Sequence, residues 1–225
     1  MSNSGLNSAK SDLIQAAKAL AESGVLFKGE HANLSVRLHS GEVVITRGGS
    51  IASLDEDSFA VVTLQGNPVQ GELDLVTAEI VDMHTAVYRT RESVGSIMHV
   101  HAPYATTFAV AQQPIPLIYE PLLRFGIVEP IPVVPWAPRG SEDSVGGIVR
   151  MVEEHPDLPA VLLANHGILA FTPSPMQTAR LLATIDEAAQ LAIQAKALGG
   201  AKELAEQEVL QVRTRMQEFG SKVMA

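Results

Sequence analysis

The chain has 225 residues, 46% of them hydrophobic, no cysteine, and a formal net charge of −9. That apolar content supports a sizeable core and excludes disorder as a description of the whole. The acidic balance argues against a nucleic-acid partner, which asks for a basic face, and against an anionic membrane surface. Without cysteine there are no disulfides and no thiolate ligands, so any bound metal must take nitrogen and oxygen donors.

Met1 to Lys10 is polar and lacks a hydrophobic signal core. No apolar run reaches the ~18 residues of a membrane span. The expectation is one soluble, cytoplasmic domain over residues 1–225, since no linker interrupts the chain.

Ser8 to Ser23 carries Leu13, Ala16, Ala17 and Leu20 at helical spacing, with Gly24 placed to end it. Val25 to Glu30 reads as a loop. Residues 33–37 and 42–46 read as a hairpin around His39-Ser40-Gly41. Arg47-Gly48-Gly49-Ser50 is a glycine-rich turn able to offer backbone amides to an anion. Ser53 and Glu56 have capping-box spacing for a short helix. A strand over residues 60–64 follows, then a second hairpin turning at Gly66-Asn67-Pro68.

Thr77 suits the N-cap of a helix with Ile80, Met83, Val87 and Tyr88 on one face, which puts Glu79 in its first turn. There the amide dipoles favour a carboxylate. His84, one turn on, reads as a packed or surface residue. Residues 94–100 form a buried strand closed by Ala102-Pro103, and residues 105–112 a short helix. The proline-rich segment 114–138, with Tyr119, Glu120, Arg124 and Glu129, reads as edge strand and ordered loop. Ser141 then caps a helix with Glu142 and Asp143 in its first turn. Strands over 159–164 and 167–171 flank His166, and residues 176–199 and 202–219 continue as helix.

In a strand alternate side chains share a face, so His99 and His101 project together while Met98 and Val100 pack behind. Two imidazoles at a strand end make half of a divalent-metal site, and His166, in an Asn-His-Gly break between apolar runs, offers a third. Three histidines leave a fourth position open, as catalytic zinc sites do.

The segments His31-Ala32-Asn33-Leu34-Ser35-Val36-Arg37, Val43-Val44-Ile45-Thr46-Arg47-Gly48-Gly49 and Asn165-His166-Gly167 resemble the class II aldolase/adducin family. So does Glu79…His84-Thr85-Ala86-Val87-Tyr88-Arg89 leading into His99-Val100-His101-Ala102-Pro103-Tyr104. The resemblance implies an α/β fold, an α/β/α sandwich around a largely antiparallel central sheet. It implies one divalent ion, zinc before manganese, cobalt or magnesium, on His99, His101 and His166, with Glu79 as acid/base. It further implies a homotetramer with active sites where subunits meet.

Two departures shape the functional expectation. The Glu79–His99 spacing is one residue longer than in sugar-phosphate aldolases of the family, which makes Asp82 the alternative acid. The positions lining the aldolase phosphate pocket are here Ala32-Asn33, Gly48-Gly49 and Thr77-Ala78, with several hydroxyl donors missing. A phosphate dianion binds where many donors converge. The expected substrate is therefore a carboxylate, contacted by Asn33, Gly48, Gly49, Thr77, Arg124 and Arg139. The expected reaction is non-oxidative decarboxylation of a hydroxylated aromatic acid of dihydroxyphthalate type. The alternative is an aldolase of fuculose-phosphate type, with epimerisation third. A non-catalytic adducin-like interaction module is the reading from a different class, which the retained imidazoles and carboxylate disfavour.

Overall fold

A computed structural model describes residues 3–27, 31–48, 50–51, 53–73 and 75–223; the side chains of 3, 75–78 and 220–223 lie outside the description. Gly49 and the Thr77 side chain, both named above as substrate contacts, fall outside it.

Helix α1 (Asn3–Ser23) starts before Ser8 because Leu6 and Ala9 extend the apolar stripe of Leu13, Ala16, Ala17 and Leu20, all buried. Strands β1 (Ala32–Arg37), β2 (Val43–Thr46), β3 (Phe59–Val62) and β4 (Pro68–Gln70) follow as an antiparallel meander. The capping box lies at Asp55 and Ser58, not at Ser53 and Glu56. Asp55 accepts from the Asp57 amide (3.1 Å), and the Ser58 hydroxyl accepts from the Asp55 amide (3.0 Å). The segment it caps, Glu56–Ser58, is a single 3₁₀ turn, which leaves no helix for a cap three residues earlier.

Helix α2 (Leu75–Thr90) begins two residues before Thr77, so Thr77 is not its N-cap and Glu79 stands in the second turn. Strand β5 (Ser96–Val100) and helix α3 (Pro103–Ala111) come next. The proline-rich segment forms a 3₁₀ turn, Glu120–Phe125, and the two-residue strand β6 (Val133–Val134). Then follow helix α4 (Glu142–Glu154), capped by the Ser141 hydroxyl, strands β7 (Ala160–Leu163) and β8 (Gly167–Thr172), and helices α5 (Pro175–Ala195) and α6 (Glu206–Val223).

The strands form one eight-stranded sheet in the order β4-β3-β2-β1-β5-β8-β7-β6, antiparallel except for β6–β7. Each face has its own core. Met98, Val100, Leu162, Ile168 and Ala170 pack against α1, α3 and α5. Ile45, Ile97, Leu169 and Phe171 pack against α2 and α4. The result is the three-layer sandwich expected from the sequence, with each fully buried Leu or Ile contributing roughly 1.5–3 kcal/mol. Arg91, past the end of α2, ties that helix to the end of α4 by donating to the Val152, His155 and Leu158 carbonyls at 2.7, 2.9 and 2.5 Å. No helix among the described residues is long and apolar enough to cross a membrane.

Candidate metal centre and active site

Alternation along β5 sends Met98 and Val100 into the core under α5, leaving His99 on the opposite face beside Ile97. His99 is buried. Its Nδ1 donates to the Ile168 carbonyl across the β5–β8 pair (3.0 Å), which leaves Nε2 as the lone-pair nitrogen of the neutral ring. His101 follows the last residue of the strand and precedes α3, so its backbone is set by that helix. Ala102 at the N-cap of α3 has no side-chain cap of its own. Asp186 on α5 substitutes for one, its Oδ1 accepting from the Tyr104 and Ala105 amides, both at 2.8 Å.

His166 enters on the tight β7–β8 connection. Asn165 takes the left-handed conformation (φ 57°), its Oδ1 accepting from Gln112 Nε2 on the far end of α3 (2.8 Å). Gly167 does not adopt positive φ. A Cβ there would stand 2.6 Å from the Val100 carbonyl oxygen, 2.9 Å from His101 Cδ2 and 3.2 Å from His99 Cε1. The Asn-His-Gly motif thus divides its work: Asn165 makes the turn, and Gly167 lets β8 approach the two histidines.

The three rings meet with centroids 5.0, 4.6 and 4.9 Å apart, and one nitrogen from each lies within 4.8 Å of the others. His99 Nε2 and His101 Nε2 are 3.2 Å apart. Two nitrogens on one tetrahedral zinc, at 2.0–2.1 Å each, stand about 3.3 Å apart. Burial pushes all three imidazoles below the usual histidine range, His99 well below and His166 to about 4, and their mutual repulsion or the nearby Arg139 charge adds to it. The rings are therefore neutral at pH 7 and carry free lone pairs, which is the state a divalent cation requires. The donor set fits such an ion.

Beside His166 lies a cavity of about 270 Å³ shared by Glu79, Ile80 and Met83 of α2, the loop from Pro135 to Gly140, and the Leu163–His166 turn. Arg139 binds Glu79 here, Nε and Nη2 both donating to Glu79 Oε2 at 3.1 and 2.8 Å. Gly140 makes the pairing possible: its φ is 75°, and a Cβ would press on the Glu79 carbonyl at 3.0 Å. Asp82, the alternative acid, is exposed and faces the β3–β4 turn at Gly66 instead of this cavity.

Asn33 pairs with His99 in the β1–β5 register, on the same sheet face. Its Oδ1 accepts from His84 Nε2 (2.7 Å). The other His84 nitrogen then accepts from the Ser35 hydroxyl (2.7 Å), which in turn accepts from Tyr88 (2.9 Å). His84, a packed residue, is thus the centre of a buried polar chain under the site, held neutral by burial with its pKa lowered to about 3. Neither Ser35 nor Tyr88 stands out in the sequence, where both look like ordinary strand and helix residues. Trp136, which also lines the cavity, carries one prior signal: it is the sole tryptophan of the chain. Arg124 is not brought to the histidines; it lines a hollow with Glu120, Val212, Arg215, Met216 and Phe219, where α6 meets the 3₁₀ turn. Gly48 is half-buried just past the end of β2.

Comparison with known proteins accords with this geometry. The family described as Class II Aldolase and Adducin N-terminal domain matches residues 11–193. The 5-deoxy-D-ribulose 1-phosphate aldolase of Bacillus thuringiensis serovar kurstaki is 27% identical over 217 residues, 96% of this chain and 98% of that protein. The 3-oxo-tetronate 4-phosphate decarboxylase of Escherichia coli O6:H1 is 26% identical over 170 residues, 72% of this chain and 76% of that one. A solved L-fuculose 1-phosphate aldolase superposes with a TM-score of 0.82 at 27% identity, covering 93% of this chain and 96% of its own. The chain belongs to the class II aldolase/adducin family.

Proposed function

We propose that this protein is a divalent-metal-dependent carbon–carbon lyase that decarboxylates a hydroxylated aromatic carboxylate of dihydroxyphthalate type. The observation that carries the reading is the cavity beside His166, which holds one cation, Arg139, paired with one acid, Glu79. Its remaining lining combines apolar side chains with only Ser144 and Asn165 as further polar ones beside His166. One guanidinium suits a carboxylate; a phosphate dianion asks for more converging donors.

A divalent ion held by His99, His101 and His166 supplies Lewis acidity to substrate oxygens and steadies the negative charge left when a carbon–carbon bond breaks. Zinc suits a three-nitrogen donor set better than magnesium. Arg139 Nη1, which makes no hydrogen bond among the described residues, orients the substrate carboxylate. Glu79, ionised in its pair with Arg139, takes the proton of a ring hydroxyl through Oε1, the oxygen not used by Arg139. The ring–carboxylate bond breaks with its electron pair left on the ring carbon, and carbon dioxide departs. Glu79 returns that proton to the carbon, leaving the product as its phenolate, which solvent protonates. We further propose a homotetramer. Phe27 and Val110, 53% and 55% exposed, flank His101 in an apolar hollow that a neighbouring subunit would cover.

The test is carbon dioxide release from 3,4-dihydroxyphthalate. Chelator should abolish it, and Glu79→Gln should lower it about 10²–10⁴-fold; undiminished turnover by metal-free protein refutes the mechanism. Aldol cleavage is the second reading, favoured by the match to a 5-deoxyribulose 1-phosphate aldolase over 96% of the chain. Aldehyde release from ribulose or fuculose 1-phosphate, with no carbon dioxide from the aromatic acid, would establish it instead.

A further inference from the structure

Trp136 is 65% exposed, two residues past the edge strand β6, on the same loop that carries Arg139 and Gly140. Single exposed apolar residues are common and need no explanation. This one lines the cavity that contains His166 and Glu79. Part of the wall around it is apolar, formed by Ile80, Met83, Val134 and Leu163, and part is polar, with Ser144 and Asn165. The volume, about 270 Å³, falls just below the ~300–1,000 Å³ of small-molecule sites, so it takes one ring, not two. The loop is also held at both ends of this stretch. Val134 is paired with β7, and Arg139 and Gly140 are locked onto Glu79 by the ion pair and the close backbone approach. The indole is therefore carried on a support held at both ends, lining the same cavity as the guanidinium.

We propose that Trp136 is the specificity-determining wall of the site, stacking on the planar ring of a single-ring aromatic carboxylate whose carboxylate Arg139 holds. This rests on the reading of the cavity as a carboxylate site and adds the ring face to it. An indole offers an extended flat π-face matched to a planar ring, whereas an open-chain sugar phosphate has no flat face to lay on it, so stacking favours the aromatic substrate class.

Since Trp136 is the sole tryptophan, intrinsic fluorescence of the whole protein reports on this wall alone. The purified protein, metal-loaded and chelator-treated, is titrated with 3,4-dihydroxybenzoate and, separately, with dihydroxyacetone phosphate, with affinities also read by calorimetry. The aromatic acid should quench and shift the emission in both metal states. Trp136→Leu should weaken its binding about 2- to 12-fold, Trp136→Phe should restore most of the loss, and the affinity for dihydroxyacetone phosphate should not move. Three results overturn the inference: no aromatic binding at millimolar ligand, equal affinity in wild type and Trp136→Leu, or parallel loss of both ligands. The two proposals fail separately. Ring binding that depends on Trp136 without carbon dioxide release sinks the decarboxylase reading and leaves the stacking wall standing. Carbon dioxide release that Trp136→Leu leaves unchanged does the reverse.

Discussion

Gly167 has no left-handed backbone to justify it, yet every other residue is excluded there because Val100, His99 and His101 occupy the place of a side chain. The obstruction at 2.6 Å is a backbone carbonyl at the end of the central strand β5, which cannot swing away as a flexible side chain would. Gly167→Ala should therefore push β8 from β5, cost roughly 1–3 kcal/mol in overpacking, and spread the three nitrogens. The measurement is metal stoichiometry beside a urea titration: the Ala variant should lose bound metal along with stability. Asn165→Gly, at the neighbouring position where φ is positive, should keep the metal, because glycine adopts that conformation without strain. An Ala variant at position 167 that binds a full equivalent of metal would show that the close approach is not what the site requires.

At the scale of elements, α3 is placed by a residue 82 positions away. Its own N-cap is Ala102, and Asp186 of α5 takes both of the first amides. Since His101 directly precedes this cap, Asp186 fixes a ligand-bearing turn as well as a helix. Removing a charged acceptor from one buried and one part-buried donor costs about 1.5–3 kcal/mol. Asp186→Ala should lose that much in denaturant unfolding, and Asp186→Asn, which keeps an oxygen acceptor, distinctly less. Equal losses would mean that packing, not the cap, is what Asp186 supplies. The same example shows what the sequence could tell. The alternation around His99 and the β1–β2 hairpin are local patterns of period two, and they could be read directly. The cap at Asp186, the chain through His84, Ser35 and Tyr88, and the convergence of Pro135–Gly140 on Glu79 join segments tens of residues apart, and no local periodicity records them. Thr77 suits a cap by residue type alone, because Ser, Thr, Asp and Asn are favoured at caps generally, and the helix begins at Leu75 instead. Arg124 lies in a proline-rich segment with no period at all, so nothing in the sequence indicates that it meets α6.

For the molecule as a whole, the layer between α2 and the sheet should set how stability responds to acid. His84 is fully buried there, with a folded pKa of about 3 against an ordinary value of 6.5. Between those values the unfolded chain binds a proton that the folded chain refuses, so stability rises with pH across this window. It is complete above about pH 6.5, declines as pH falls, and stops declining near pH 3. The full span corresponds to on the order of 4–5 kcal/mol, and the part lost between pH 7.5 and pH 5 to about 2 kcal/mol. The metal-site imidazoles, also lowered by burial, contribute with the same sign in metal-free protein, so the comparison must be between variants and not between pH values alone. His84→Gln keeps polar atoms between Ser35 and Asn33 but cannot titrate. It should be less stable than wild type at pH 7.5, where the buried chain is imperfectly replaced, and should close about 2 kcal/mol of that gap by pH 5. Urea midpoints of both proteins at the two pH values, taken in chelator, measure this directly. A gap that stays constant would mean that the folded protein admits water or a proton to His84, and that the chain beneath Asn33 is not sealed.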